Sequence, residues 1–106
     1  MLITQQLNLT ATKNLSKPAI RYLGKGLNYK ELTSSISRLS YLYQHEMGQG
    51  VRLAFLSRNT PAMIATFFAM TNTRSVSIPI DPDRPPEEIV PWLKESKATH
   101  LAVSSD

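Results

Sequence analysis

The sequence predicts an α/β fold: an N-terminal β-hairpin and helix, followed by a β-α-β-α-β unit with a mainly parallel sheet flanked by helices. Three observations carry that expectation. Short apolar runs at 51–57, 75–80 and 99–103 alternate with helical patterns at 61–72 and 87–97, and such alternation builds parallel sheets through right-handed crossovers. Leu32, Ile36, Leu39 and Tyr43 stand at i, i+4, i+7 and i+11, which is one stripe of an amphipathic helix. Ahead of that helix, two short alternating stretches flank Gly24-Lys25-Gly26, a hairpin signal.

Residues 1–17 form an N-terminal arm that is polar and weakly patterned, and the pattern leaves a short helix or a loose segment open. Pro18-Ala19-Ile20-Arg21-Tyr22 and Leu27-Asn28-Tyr29 read as the hairpin strands. Asn28, with Glu31 three residues on, is a capping-box start, so the helix is expected from about 29 to 46. Gly48 and Gly50 follow it, where glycine takes a positive φ at least cost. The Val51–Leu56 run is apolar on both faces, as a covered parallel strand is. Thr60-Pro61 is a hydroxyl cap with proline at N1. The helix after it is apolar nearly all round, so Phe67 and Phe68 are expected in the core. Pro79 lacks a ladder donor, so it is expected at its strand's end or on an edge strand. Glu87 and Glu88 open the next helix, as the helix dipole favours. Ile89, Trp92 and Leu93 are its expected inward stripe, and Pro91 should kink it.

A chain of 106 residues is one domain at most, with about 6,000 Å² of surface expected for a compact fold of this size. Cysteine is absent, so disulfides, thiolate catalysis and Cys-based metal sites are excluded, and the balance tilts to a reducing, cytoplasmic compartment. No apolar run is long enough to span a membrane, and the N-terminus lacks a signal-peptide pattern. Net charge is +4 but uneven: residues 1–80 carry nine Lys/Arg against two Glu, while residues 81–106 carry three basic against six acidic groups. The cations are spaced apart and not interleaved with aromatics, which argues against nucleic acid as a partner.

In a parallel sheet ligands bind beyond the carboxyl ends of the strands, here Ser57–Thr60, Ile80–Arg84 and Ser104–Asp106. The motifs of phosphate and nucleophile chemistry, GxGxxG, GxxxxGK[ST] and GxSxG, are missing. His45 and His100 stand without ligand-spaced partners, so no metal site is expected. Asp81 and Asp83 are the best-placed carboxylate pair, read as a metal or ligand contact or as turn formation and helix capping beside proline. Arg58 and Arg84 stand at sheet-end loops, placed either to meet an anion or as solvated surface.

The order of the pieces resembles the opening of the adenylate-forming enzymes: acyl-CoA synthetases, adenylation domains of nonribosomal peptide synthetases, and luciferases. The resemblance rests on Pro18-Ala19-Ile20, Leu27-Asn28-Tyr29-Lys30-Glu31-Leu32, Asn59, and Ile78-Pro79-Ile80-Asp81-Pro82, followed by a helix and a strand. It covers residues 18–106, which it makes the first α/β part of a large N-terminal domain. Asn28 replaces the family's threonine. Asn72 and Arg74 stand where a lysine and a glycine are usual, so Arg74 must adopt a backbone conformation that glycine allows.

What the resemblance implies is a two-step reaction, in which a carboxylate and ATP give an acyl-adenylate and pyrophosphate and a thiol then takes the acyl group. Expected first is an acyl- or aryl-CoA ligase of fatty acid metabolism. ATP, Mg and CoA are its cofactors, a carboxylic acid its substrate, and the rest of the parent enzyme its partner. The alternatives are an amino-acid adenylation domain within the family, or a stand-alone binding module outside it. The family's phosphate loop, adenine motif, ribose aspartate and catalytic lysine have no counterpart in these residues. No catalytic residue is therefore assigned, and the isolated fragment is expected to be inactive and to dimerise through uncovered apolar surface. The resemblance puts Asp81, Pro82 and Arg84 on the CoA side.

Overall fold

The computed structural model describes residues 3–103. Nine elements follow in order: α1 (Ile3–Lys13), β1 (Pro18–Tyr22), β2 (Lys25–Asn28), α2 (Tyr29–Met47), β3 (Arg52–Leu56), α3 (Pro61–Asn72), β4 (Val76–Ile80), α4 (Pro86–Glu95) and β5 (His100–Val103). β1 and β2 pair antiparallel as a separate hairpin, and the second sheet has the order β4-β3-β5 with both pairings parallel. This is the α/β architecture expected from the alternating runs.

The N-terminal segment resolves to the helical alternative. α1 buries Thr4 and Ala11 and sets Leu7 against a cluster of Leu32, Ile36 and Ala65. α2 carries the full capping box: the Glu31 N–H donates to Asn28 Oδ1 at 2.8 Å and the Asn28 N–H to Glu31 Oε1 at 3.1 Å. The stripe of Leu32, Ile36, Leu39 and Tyr43 faces inward. α3 starts as expected, with the Met63 N–H donating to Thr60 Oγ1 at 3.2 Å. Its residues Ala65, Thr66, Ala69 and Met70 are buried. Met70 joins Val51, Leu53 and Phe55 in the core beneath α2 and α3. On the opposite sheet face, Ala54, Ile78 and Ile80 lie beneath Ile89 and Leu93 of α4.

Three expectations change. The hairpin turn is centred on Leu23 and Gly24, with φ of 50° and 76°, not on Gly24–Gly26. Two positive φ angles make the turn that suits strand twist, and Gly26 is left to pair with Arg21 in the ladder. Trp92 is 43% exposed, not inward. The i, i+4 pair Ile89 and Leu93 covers the sheet, and Trp92 falls at the rim, where the Arg84 guanidinium sits 5.8 Å from its ring centroid. Phe67 is also exposed and meets Phe68 edge-on, because α2 covers only one side of α3. Pro91 lies inside α4, where the sequence placed it; it is exposed and leaves the Glu87 carbonyl without its i+4 donor.

Two expectations hold in detail. β4 is an edge strand and its Pro79 is exposed. Arg74 has φ 54°, the left-handed conformation that costs an L side chain about 1–2 kcal/mol. The Thr73 hydroxyl donates to the Met70 carbonyl at 3.2 Å, and the Ser75 N–H to that same carbonyl at 2.9 Å. The tight reversal puts Val76 in register beside Arg52. The chain is open rather than spherical: its surface is 7147 Å² and its radius of gyration 14.6 Å, against about 6,000 Å² and about 13 Å for a compact fold of this length.

Candidate functional site

Because β3 and β4 run parallel, their following loops leave the same end of the sheet. Ser57–Thr60 and Asp81–Arg84 therefore face each other across a cleft of about 510 Å³, lined by Arg58, Asn59, Met63, Ile80, Asp81 and Pro82 among others. The third strand end, Ser104–Asp106, lies outside the described residues.

Inside the β4–α4 loop, Asp81 Oδ1 accepts the Asp83 N–H at 2.9 Å and the Asp81 carbonyl accepts the Arg84 N–H at 3.2 Å. This is the turn that Asp forms beside proline. The Asp83 carboxylate takes both terminal nitrogens of Arg58, at 2.7 and 2.8 Å. The bidentate pair ties the two loops together across 25 residues of sequence. Both side chains are more than half exposed, so the pair positions the loops more than it stabilises the fold.

The expected site residues thus meet different fates. Asp81 shapes its own loop, and Pro82 lines the cleft half-buried. Arg84 leans away onto α4, donating to Glu88 Oε2 at 3.0 Å and standing over Trp92. Asp83 is paired with Arg58 rather than with Asp81. The histidines stay apart: His45 stacks on Tyr41 at 5.6 Å, and His100 Nδ1 lies 2.9 Å from Thr99 Oγ1.

The Arg58–Asp83 pair is the feature that sequence reasoning missed. Its signal was present: opposite charges stand two and three residues past the ends of two strands that the β-α-β rule makes parallel. The chemistry available here is limited. Among the described residues no group of three or more His, Cys, Asp or Glu converges as metal ligands would, and the loop carboxylates are already engaged. These residues do not fit Mg or the phosphates of ATP, and no step through either is derived from them. Arg58 and Arg84 are each turned to a carboxylate at the surface, Asp83 and Glu88 respectively.

Known proteins place this framework. Residues 7–106 match the model of the AMP-binding enzyme family. Surfactin synthase subunit 1 of Bacillus subtilis (strain 168) is 28% identical over 100 residues, which is 93% of this chain and 3% of that protein. A plipastatin synthase subunit of the same organism is 33% identical over 87 residues, covering 78% of this chain and 3% of that protein. In structure, the Klebsiella oxytoca NpsA N-terminal subdomain superposes with a TM-score of 0.91 at 17% identity, over 98% of this chain and 28% of that one. PA1221, an NRPS protein containing adenylation and PCP domains, gives 0.85 at 20% identity, over 99% of this chain and 19% of that one. The chain spans only a small part of the curated relatives it matches. With a family match across nearly all of its residues, it belongs to the AMP-binding enzyme family and corresponds to the N-terminal part of an adenylate-forming enzyme.

Proposed function

We propose that this chain is the opening α/β segment of an amino-acid adenylation domain of a nonribosomal peptide synthetase. The observation that carries this reading is the identity of the relatives: surfactin and plipastatin synthases align over 78–93% of the chain. They favour the amino-acid alternative over the acyl-CoA ligase and fatty acid metabolism expected first. The whole domain would join an amino acid to the adenylate of ATP with release of pyrophosphate, then pass the aminoacyl group to a thiol. On this reading the thiol belongs to a carrier protein instead of CoA, in line with the neighbour PA1221, which contains adenylation and PCP domains. ATP and Mg would be held by other parts of the domain.

This chain's own contribution is geometric. The central strand β3 and its two parallel neighbours hold the Ser57–Thr60 and Asp81–Arg84 loops at the sheet end where ligands of such folds bind. Asp81 and Pro82 shape the cleft wall there. Arg84 props the loop against α4 through Glu88 and Trp92. Among the described residues no helix is long and apolar enough to cross a membrane. A cytoplasmic place of action, where ATP is supplied, is part of the proposal.

The test is ATP–pyrophosphate exchange by the intact domain that carries these residues, across a panel of amino, aryl and fatty acids, followed by acceptor loading. The amino-acid panel is expected to drive exchange, and the label to reach a carrier protein. Exchange driven by fatty acids, with the acyl group collected on free CoA, would contradict it.

A further inference from the structure

Hydroxyl side chains along the helices tie themselves back to the preceding turn. Thr12 donates to the Asn8 carbonyl, Thr33 to that of Tyr29, Ser40 to that of Ile36 and Thr71 to that of Phe67, at 2.7 to 3.3 Å. This i to i−4 bond is a common fate of a hydroxyl inside a helix. Thr66, in the middle of α3, departs from it. Its hydroxyl makes no hydrogen bond among the described residues, although Thr66 is only 9% exposed.

A buried hydroxyl is costly to leave unpaired. This one is not sealed in protein. Among the described residues no fully buried side-chain polar atom lacks a partner, so the Thr66 oxygen reaches open space. The space that Thr66 borders is a recess of about 170 Å³ at the carboxyl ends of β3 and β5, lined by Tyr43, Phe55, Leu56, Met63 and Ala102 among others. Phe55 is buried, and Tyr43, Leu56, Met63 and Ala102 are half-buried. None of the described residues that line it is charged. Ser57 and Met63 line both this recess and the sheet-end cleft, so the recess is a side chamber of that cleft. The Ser57 hydroxyl donates to the Arg58 carbonyl at 2.9 Å. That leaves the hydroxyls of Thr66 and Tyr43 as the chamber's unpaired polar groups among the described residues.

We propose that this chamber binds a neutral one-ring phenol, with the ligand's hydroxyl paired to Thr66 and its ring among Tyr43, Phe55 and Met63. The size fits: a cavity of about 150 Å³ lined by aliphatic and aromatic side chains takes up benzene. The Met63 thioether and the two aromatic rings favour an aromatic occupant over an alkyl one. A hydroxyl both donates and accepts, so Thr66 can pair a phenol hydroxyl in either sense. Water would pair Thr66 but leave the apolar lining wet. An ionised ligand would lose its hydration here without meeting a counter-charge. The inference does not rest on the adenylation reading, since its test measures binding to this chain and neither exchange nor acceptor loading.

The probe is phenol, titrated into the full chain with amide chemical shifts as the readout. Saturable shifts are expected at Leu56, Ser57, Met63, Thr66 and Ala102, with α1 and the hairpin unmoved. Toluene, a ring of similar size without the hydroxyl, should bind about fivefold more weakly. Thr66→Val removes the hydroxyl and keeps the shape of the side chain. It should weaken phenol about fivefold and leave toluene unchanged. This variant deletes an unbonded group, so its fold is not at stake. Ala102→Leu, which fills the chamber from β5, should abolish binding of both.

The absence of saturable shifts with phenol, equal affinity for toluene, or an unchanged phenol affinity in Thr66→Val would overturn the proposal. So would shifts confined to other elements, or benzoate or benzylammonium binding as tightly as phenol. Undiminished phenol binding by Ala102→Leu would put the ring elsewhere on the chain and likewise overturn it.

Discussion

The two faces of the β4-β3-β5 sheet are covered very differently. Beneath α2 and α3, Leu53, Phe55 and Met70 are buried to 4% exposure or less, and α3 itself contributes four buried residues. Beneath α4, Ala54, Ile78 and Ile80 are buried, yet α4 contributes no buried residue. Leu101 and Val103, which pair with Ala54 and Leu56 and so share that face, remain 52% and 66% exposed. One strand thus sits between a thick layer and a thin one. Two helices that cross-pack shield a sheet face in depth, whereas one short helix with an i, i+4 contact shields only a strip of it. The fold is anchored on the first face. The second carries one of the two loops that form the candidate cleft.

Substitutions on and around these two faces can break or sharpen that contrast. Leu53→Ala should remove about 3–4 kcal/mol, as a truncation in a tight core does, while Leu93→Ala on the thin side should cost about 1 kcal/mol. Urea unfolding midpoints measure both, and equal losses would dissolve the contrast. Asn28→Ala removes the capping box that starts α2 and should cost about 1 kcal/mol, with hydrogen exchange rising in the first turn of α2 and not in α4. Arg74→Gly should stabilise by about 0.5–1 kcal/mol, because glycine relieves a left-handed φ at some cost in unfolded-state entropy. Thermal unfolding would show it, and a loss of stability would mean that the Arg74 side chain contributes contacts of its own. Asp83→Asn should change stability by less than about 1 kcal/mol, as an exposed pair does. Its signature is local: faster amide exchange in the Ser57–Thr60 and Asp81–Arg84 loops, with the rest of the sheet unmoved.

Much of this was legible in the residues. The capping box, the Thr60-Pro61 start, the edge position of Pro79 and the left-handed Arg74 all follow from local backbone and hydrogen-bonding rules, which act within a few residues. What was not legible depended on neighbours distant in sequence. Trp92 and Phe67 carry large apolar side chains at helical spacing, but whether such a side chain is covered depends on how far the adjoining helix extends. The hairpin turn shifted by one residue because Leu23 accepted a positive φ that propensity assigns to glycine. In the cleft, each charged residue was visible but its partner was not. Arg58 could have served an anion, and only the parallel register shows that Asp83 already occupies it. The thiol acceptor was illegible for a different reason, since the residues after β4 carry no mark that separates a CoA ligase from a peptide synthetase.

The proposed role of this chain is to supply framework and loop geometry to an adenylate-forming enzyme, with the reacting groups held by other parts of the domain. Carboxylate-dependent ATP–pyrophosphate exchange by the 106-residue chain alone, across amino, aryl and fatty acids, tests that claim directly. No exchange above the acid-free background is expected with any of them. Exchange that any carboxylic acid stimulates, and that Arg58→Ala or Asp83→Asn reduces, would contradict it by placing the chemistry in these residues.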